Sequence, residues 1–280
     1  MRVRLSPRKQ QRIIKAIFLS LTILTVFILA FIIFFILRHG LPVVNWQFLT
    51  RHPMEMGKEG GIFSTIVGTV ALTFLALLIA TPLGVGTAIF LTEYTSEGKM
   101  TRVIRFGSDC LAGIPSIIFG LFGFILFVTK LKLGWSILSG GLTLAFMILP
   151  TIIRTSEEAI RFVPQAYREV SFSLGSSKWQ TVSRVVLPSA LPGIATGVIL
   201  SIGRSIGETA AVIFTAGSAL RLPTSLFSST RTMSVHFYIL AREGISLSKA
   251  YGTAAVLVVS ILLINVVTYY LMNRFLRKYS

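Results

Sequence analysis

The sequence is poor in charge, in cysteine and in histidine. Only 13% of its 280 residues are charged, about half the share of an average soluble domain. This low charge argues against a soluble enzyme and against a disordered chain. The single cysteine, Cys110, excludes an internal disulfide. Three scattered histidines do not form the close ligand spacing of a metal site, so we predict none.

The sequence also lacks the G-x-x-x-x-G-K-[ST] loop that cradles nucleotide phosphates. We therefore expect this chain to bind no ATP and no other cofactor of its own. A membrane enzyme would need a convergent nucleophile, base or metal cluster. The dispersed histidines and the single cysteine offer little for such a site.

Long apolar runs are what the sequence has instead. Hydrophobic residues make up 53% of the chain, and a membrane-spanning helix needs about 20 mostly apolar residues. We predict an all-α, polytopic membrane protein with six spans. They are expected at about 17–37, 62–91, 109–128, 136–153, 191–219 and 250–272. The apolar core of the first span is longer than that of a signal peptide, so we expect a retained helix.

The basic residues are distributed unevenly between the two sides of the membrane. Of the 27 Lys and Arg residues, 17 fall in the two tails and in the loops on the same side as the tails. The positive-inside rule then places both termini in the cytoplasm. The net charge of +17 therefore reflects topology. We expect a lipid bilayer as partner and no nucleic acid, because no soluble domain could present a basic face.

Prolines and glycines interrupt several spans. Proline removes a helical hydrogen bond and predicts a kink, and small residues four apart let helices approach closely. The residues concerned are Pro82 and Gly84 in the second span, Pro115 in the third, and Gly193, Gly197, Gly203 and Gly207 in the fifth. The glycines of the fifth span either pack helices within one subunit or form a pore-lining face at a subunit interface.

The fifth span contains a charged pair, Arg204 and Glu208, four residues apart and on one face if the helix is continuous. An unpaired charge costs about 2.5–3.5 kcal/mol at the centre of a span, so we expect the two to pair. The pair either fixes the helix without a role in transport or serves an oxyanion. In the second case Arg204 is the guanidinium fork for the anion. Glu208 then orients Arg204 or limits how tightly the anion is held.

The longest cytoplasmic connection lies between the fourth and fifth spans. Pro164 is expected to start a short helix and Gly175 to end it. Ser176 or Ser177 can cap a second helix, and Pro188 suggests a boundary before the fifth span. The pattern predicts two short helices at an angle, forming a compact knob.

The same connection carries a motif with fixed spacing. It reads Glu169-Val170-Ser171-x-x-x-Gly175, then nine residues, then Val185-x-Leu187-Pro188. This resembles the EAA motif of ABC importer permeases, with small or conservative replacements. The resemblance implies a MetI-like, type I permease fold whose knob docks into a cleft on a separate ATPase subunit. The residues expected to couple to that ATPase are Tyr167, Glu169, Gly175, Leu187 and Pro188.

Further runs resemble the phosphate permeases within that family. They are 60–62, 66–69, 82–85, 93–94, 114–123 and 203–210. With the EAA loop they cover about two-thirds of the chain. The resemblance implies one of the two permease subunits of an ATP-driven phosphate importer; those two subunits share most of these motifs. It places Arg204, Glu208 and Thr209 along the substrate path and implies a non-catalytic subunit.

These inferences together define an organisation for the chain. A basic cytoplasmic tail at 1–16 precedes the first helix at 17–37, a five-helix core at 62–272 contains the coupling loop 154–190, and a cytoplasmic tail follows at 273–280. The implied partners are a second permease subunit, two ATPase subunits that hydrolyse the ATP, and an extracytoplasmic phosphate-binding protein, assembled at a bacterial inner membrane. The alternatives are the same machine for sulfate, molybdate or another solute, and a self-sufficient secondary transporter, which often shows an internal repeat.

Overall fold

The computed structural model describes residues 7–96 and 98–276. The ends of the two predicted tails, 1–6 and 277–280, lie outside the described residues. The longer helices are α1 (Pro7–Gly40), α3 (Phe63–Ile89), α4 (Lys99–Ala112), α5 (Ser116–Gly123), α6 (Ile137–Phe162), α7 (Gln165–Ser173), α9 (Leu187–Gly207), α11 (Met233–Arg242) and α12 (Leu247–Leu276). The short helices are α2 (Trp46–Thr50), α8 (Lys178–Thr181) and α10 (Ala210–Thr215).

Three π-helical turns extend these helices, at Phe90–Tyr94, Phe124–Lys130 and Val182–Val186. A small antiparallel hairpin of β1 (Pro53–Met54) and β2 (Glu59–Gly60) follows α2. Everything else that is regular in the described part of the chain is helical, so the all-α prediction is confirmed.

Among the described residues, five helical stretches are long and apolar enough to cross a membrane, and a bent pair supplies a sixth. The five are Gln11–Val43, Phe63–Tyr94, Ile137–Phe162, Lys178–Gly207 and Leu247–Tyr270. Each corresponds to one of the predicted spans. The prediction of a six-span protein therefore holds if the bent pair crosses the membrane as one unit.

The third predicted span, 109–128, is wrong as a single helix. Lys99–Ala112 and Ser116–Lys130 meet at an angle of 102°, so residues 109–112 belong to the preceding helix. The bend lies at Pro115, where a kink was expected. Proline disfavours helical backbone in the residue before it, and Pro115 itself has extended backbone at the start of α5.

The core of the bundle lies between α3 and α6. Leu72 of α3 and Ile148 and Ile152 of α6 are almost completely buried in one apolar cluster. At Gly84 an added Cβ atom would lie 2.7 Å from Ile152, so the absence of a side chain lets the helices approach. α3 runs unbroken through Pro82.

Two predicted boundaries on either side of the knob are wrong. α6 continues to Phe162, nine residues past its apolar part, because its polar end is held by ion pairs described below. The boundary expected at Pro188 is absent, since helical structure runs from Lys178 to Gly207. A π-helical turn precedes Pro188. The regular α-helical hydrogen bonds are already interrupted there, so the missing proline N–H is easier to accommodate.

The first helix, α1, stands apart from the core. None of the residues in its most apolar stretch is buried, and it packs against α12 near its end, where Gly40 meets Tyr251 and Ala255. An apolar stretch with no buried residue is typical of a span facing lipid or another membrane subunit.

Candidate functional site

The fifth span is broken at the predicted charge pair, Arg204 and Glu208. α9 ends at Gly207, Glu208 has extended backbone, and α10 begins at Ala210. The Glu208 carboxylate accepts the N–H groups of Thr209 at 3.2 Å and of Ala211 at 3.1 Å. Glu208 thus satisfies donors that the start of a helix leaves free. Its carbonyl oxygen accepts the Ser234 hydroxyl at 2.6 Å.

The predicted pairing of Arg204 with Glu208 is therefore wrong. The two side chains would share a face only on a continuous helix, and the helix ends between them. Within 7–96 and 98–276, no ion pair or hydrogen bond engages the Arg204 guanidinium, and its side chain is exposed. Arg204 lies in the last turn of α9, where the helix dipole favours a positive charge.

The small residues of α9 divide into two groups. Gly193 and Gly197 pack against Ala159 and Thr155 of α6, so these glycines serve packing within the chain. Added Cβ atoms at Gly203 and Gly207 would meet nothing within 4 Å. The surface around Arg204 is therefore open in this chain, as a face towards a pathway or a second subunit would be.

The knob, residues 164–181, has the predicted local structure. α7 starts directly after Pro164, and Gly175 has a φ of +81°, a left-handed conformation that favours glycine at a helix end. Ser177 is the residue that caps α8, in a capping box with Gln180. The role of Gln180 was not anticipated, although a serine followed three residues later by glutamine is the usual signal.

The outer surface of the knob is apolar, and no other part of the described chain covers it. Tyr167, Val170 and Trp179 are exposed, and Leu174 is 81% exposed. Glu169 is exposed beside them. Phe162, at the end of α6, is 91% exposed. Contiguous exposed apolar side chains rimmed by polar groups mark a protein–protein docking surface. Leu187, by contrast, is half-buried against the cluster that joins α6 and α9, and Pro188 is exposed.

The inner side of the knob is held by Arg168, whose sequence position indicated only a basic residue on the cytoplasmic side. Its Nε and Nη2 atoms donate to Glu93 Oε1 at 3.1 and 2.6 Å. The same guanidinium donates to the carbonyl oxygens of Val163 at 2.8 Å and Ile160 at 3.0 Å. Both charged side chains are largely buried, with exposures of 11% and 9%. The sequence signal was a carboxylate, Glu93, at the end of an apolar span.

Further ion pairs tie α4 to α6 at the same end of the bundle. Arg105 and Arg161 both contact Glu157, at 2.8 and 3.0 Å. Arg154 pairs with Asp109, with Nε to Oδ1 at 2.9 Å, and both of those side chains are about half exposed. These residues line a cavity of about 220 Å³. Arginines that the topology rule counted are thus partly neutralised by carboxylates.

At the opposite end, two buried basic side chains lie close together, Arg231 just before α11 and His236 within it. Arg231 donates from Nε to the Ser218 carbonyl at 2.9 Å and from Nη1 to His236 Nδ1 at 3.4 Å. Burial, and next the positive charge of Arg231, lower the pKa of His236 to about 4. Burial also lowers the pKa of Arg231, against the opposing effect of Glu243. Over the described ranges, histidine, cysteine and acidic side chains form no cluster suited to a metal ion.

A family model of known transport proteins matches the chain. The model, "Binding-protein-dependent transport system inner membrane component", covers residues 80–280. The chain therefore belongs to this family of membrane permease subunits of ABC importers, which are non-catalytic. The exact limits of the predicted core, 62–272, remain a prediction.

Within this family, the chain is similar to permeases named for phosphate transport and to a probable permease. The chain is 36% identical over 260 residues to the probable ABC transporter permease protein YqgI of Bacillus subtilis, with 87% of this chain and 88% of that protein covered. It is 34% identical to the phosphate transport system permease protein PstA 1 of Mycobacterium tuberculosis, over 79% of this chain and 73% of the relative. PstA of Haemophilus influenzae is 31% identical, with 88% of each chain covered.

Solved structures agree on the fold. A chain of the MetNI methionine ABC transporter, in inward-facing conformations, matches with a TM-score of 0.60, 19% identity, and coverage of 77% of this chain and 94% of that one. A chain of the bacterial alginate ABC transporter, in complex with its alginate-bound periplasmic protein, matches with a TM-score of 0.68, 17% identity, and coverage of 95% and 96%. The predicted MetI-like permease fold is confirmed.

Proposed function

We propose that this chain is one permease subunit of an ATP-driven importer of inorganic phosphate. Three observations support the cargo: the PstA relatives, the phosphate-permease runs of the sequence, and the exposed guanidinium of Arg204 on an open face of a span. The last observation carries most weight. An unpaired charge at membrane depth is costly unless it faces a water-filled cavity or a partner.

In this proposal Arg204 binds phosphate oxygens while the cargo passes. A planar guanidinium can donate two parallel hydrogen bonds to an oxyanion. Glu208 fills the backbone N–H groups at the start of α10, so that those donors do not add to the grip on the anion. Its negative charge further weakens the local positive field and favours release. Thr209, at the break, adds a hydroxyl group to the path.

One of the two ATPase subunits docks on the knob of this chain. The exposed apolar side chains of α7 and α8 form the contact surface, with Glu169 at its edge. Gly175 fixes the turn between the two helices. Leu187 and Pro188 lie where the docking element runs into α9. Closure of the ATPase pair would then rock the spans as rigid bodies.

The complete importer contains partners beside this chain. This chain pairs with a second, PstC-like permease. The complex also contains two PstB-like ATPase subunits that hydrolyse the ATP and a PstS-like extracytoplasmic phosphate-binding protein. The subunit lies in a bacterial inner membrane with both termini in the cytoplasm, as the distribution of Lys and Arg favours.

The test is phosphate uptake by vesicles that contain the assembled complex. Arg204→Ala should lower uptake at least about tenfold, because a charge-assisted donor to the anion is lost. Arg204→Lys should retain part of the activity, since it keeps the charge and loses the fork. Normal uptake in both variants would remove Arg204 from the path. Uptake of sulfate or molybdate in place of phosphate would identify another cargo, and transport by the chain alone would contradict the proposed machine.

A further inference from the structure

Arg168 connects the knob to two membrane-spanning helices at once. Glu93 lies in the π-helical turn at the end of α3, and it accepts two donors of the guanidinium. Ile160 and Val163 lie at the end of α6 and just beyond it, and each accepts one bond through its carbonyl oxygen. A single side chain of α7 therefore has fixed attachments to both α3 and α6.

These attachments are stronger than a typical surface contact. Hydrogen bonds between charged groups are shorter and stronger than neutral ones, and a two-pronged arrangement also fixes direction. Because the pair is largely buried, separating it would leave two charges poorly solvated. α7 cannot shift relative to these helix ends without breaking the pair.

α7 is connected to α9 in a different way, through α8, which runs on as helix into α9. Between α7 and α8 the Ser171 and Thr181 hydroxyl groups share one neutral hydrogen bond of 2.9 Å. Beyond it, Val186 and Ala190 pack against Ile160 in an apolar cluster. Apolar packing between helices allows small sliding movements. Movement of α7 is therefore transmitted more directly to α3 and α6 than to α9.

We propose that the Arg168–Glu93 pair is the link that carries movement of α7 into the α3–α6 pair of spans. The inference rests on the proposed function, in which an ATPase subunit moves α7. α3 and α6 are closely packed through Gly84 and Ile152, so they respond as one body. Arg168 is a positioning residue, because it acts on the path only through the helices that it holds.

The experiment measures phosphate transported and ATP hydrolysed in the same vesicles, with the full complex and the binding protein. Glu93→Gln removes one charge but keeps the shape, and Arg168→Lys keeps the charge but loses the fork. Each should lower the phosphate moved per ATP at least about fivefold, a usual size for coupling between sites. Hydrolysis without binding protein should stay within about twofold of the unaltered complex. The double variant should be no worse than the more affected single variant, because both changes break one contact.

Asp109→Asn provides the matched control. It breaks another arginine–carboxylate pair between helices at the same end of the bundle, but one that is half exposed and does not touch the knob. Exposed pairs contribute little, so transport per ATP should stay within about twofold.

Several results would overturn the proposal. The first is an unchanged ratio in both Glu93→Gln and Arg168→Lys. A proportional fall of transport and hydrolysis, or loss of the ATPase from both purified variants, would assign the pair to docking or folding instead.

If the unaltered complex hydrolyses ATP but moves no phosphate, the proposed cargo is wrong. The link is then tested by the stimulation of hydrolysis that the binding protein causes. That stimulation should fall at least about fivefold in Glu93→Gln and persist in Asp109→Asn; its persistence in both would overturn the link.

Discussion

The two halves of α9 share a spacing of small residues but face different surroundings. Gly193 and Gly197 in the first half allow close contact with α6, whereas Cβ atoms added at Gly203 and Gly207 in the second half would meet no other described part of the chain within 4 Å. Small residues four apart indicate that something approaches the helix closely. Only the fold shows whether that neighbour belongs to the same chain. The first half is thus part of the scaffold, and the second half faces the open surface that carries Arg204.

The strongest way to break this comparison is to fill the open face. Gly207→Leu should lower phosphate uptake by the assembled complex at least about a hundredfold, or about 2.7 kcal/mol at 1.36 kcal/mol per tenfold. The bulky side chain would occupy space that the proposed path needs. The thermal unfolding midpoint of the purified chain should change little, because a Cβ atom added at Gly207 meets none of the described residues beyond its own helix turn within 4 Å. A destabilised chain would instead assign Gly207 to internal packing.

A matched pair of alanine substitutions, one in each half of α9, tests the comparison with a smaller expected effect. Gly197→Ala should destabilise the chain by about 1–3 kcal/mol, as overpacking usually does, because its Cβ atom would overlap Thr155. Gly203→Ala should leave stability unchanged or raise it by up to about 1 kcal/mol, since alanine favours helix. Unfolding of the purified chain in detergent measures both. Equal destabilisation would remove the distinction between the two halves.

Acid should destabilise the fold at α11, which contacts the end of α9. Ser234 of α11 binds the Glu208 carbonyl, and His236 two residues later is buried with its pKa lowered to about 4. The unfolded chain binds a proton below about pH 6.5, whereas the folded chain resists protonation down to about pH 4. The contribution of neutral, buried His236 to the free energy of unfolding is thus complete above pH 6.5 and is lost as the pH falls towards 4. The loss should reach about 1 kcal/mol at pH 5.5.

His236→Gln should reduce that dependence of the unfolding midpoint on pH. His52→Gln, at an exposed position, is the control and should retain it. An unchanged slope in His236→Gln would show that another group is responsible.

The smallest effect on stability is expected at the end of the bundle that carries the knob. Asp109→Asn removes a half-exposed ion pair between α4 and α6, and exposed pairs contribute about 0–1 kcal/mol to stability. Added salt should diminish this difference further, because it screens exposed charges. A loss above 2 kcal/mol in an unfolding titration would mean that the pair is shielded from solvent by another subunit or by lipid.

Local signals in the sequence predicted local structure well. Apolar runs located the spans because the bilayer imposes their length. Pro164, Gly175 and a cap at Ser176 or Ser177 predicted the knob, since each acts through the backbone within one turn of its own position.

Irregular helix geometry and contacts between distant residues were not predictable in the same way. Glu208 binds backbone N–H groups beyond the end of its helix, which a continuous 3.6-residue period cannot indicate. Pro188 lies inside a helix because the preceding turn is π-helical. The partner of Arg168 is 75 residues away in sequence, so only the packing of α3 beside the knob brings them together.

The three π-helical turns have a consequence for how this chain tolerates insertions and deletions. A π turn closes its hydrogen bonds over five residues where an α turn uses four. Loss of one residue at Phe90–Tyr94 or Val182–Val186 can therefore be absorbed by tightening to α-helix, with the flanking residues kept on their faces. The same loss between Gly193 and Gly197 would rotate the rest of α9 by about 100°. Length variants that still function should thus cluster at the π turns.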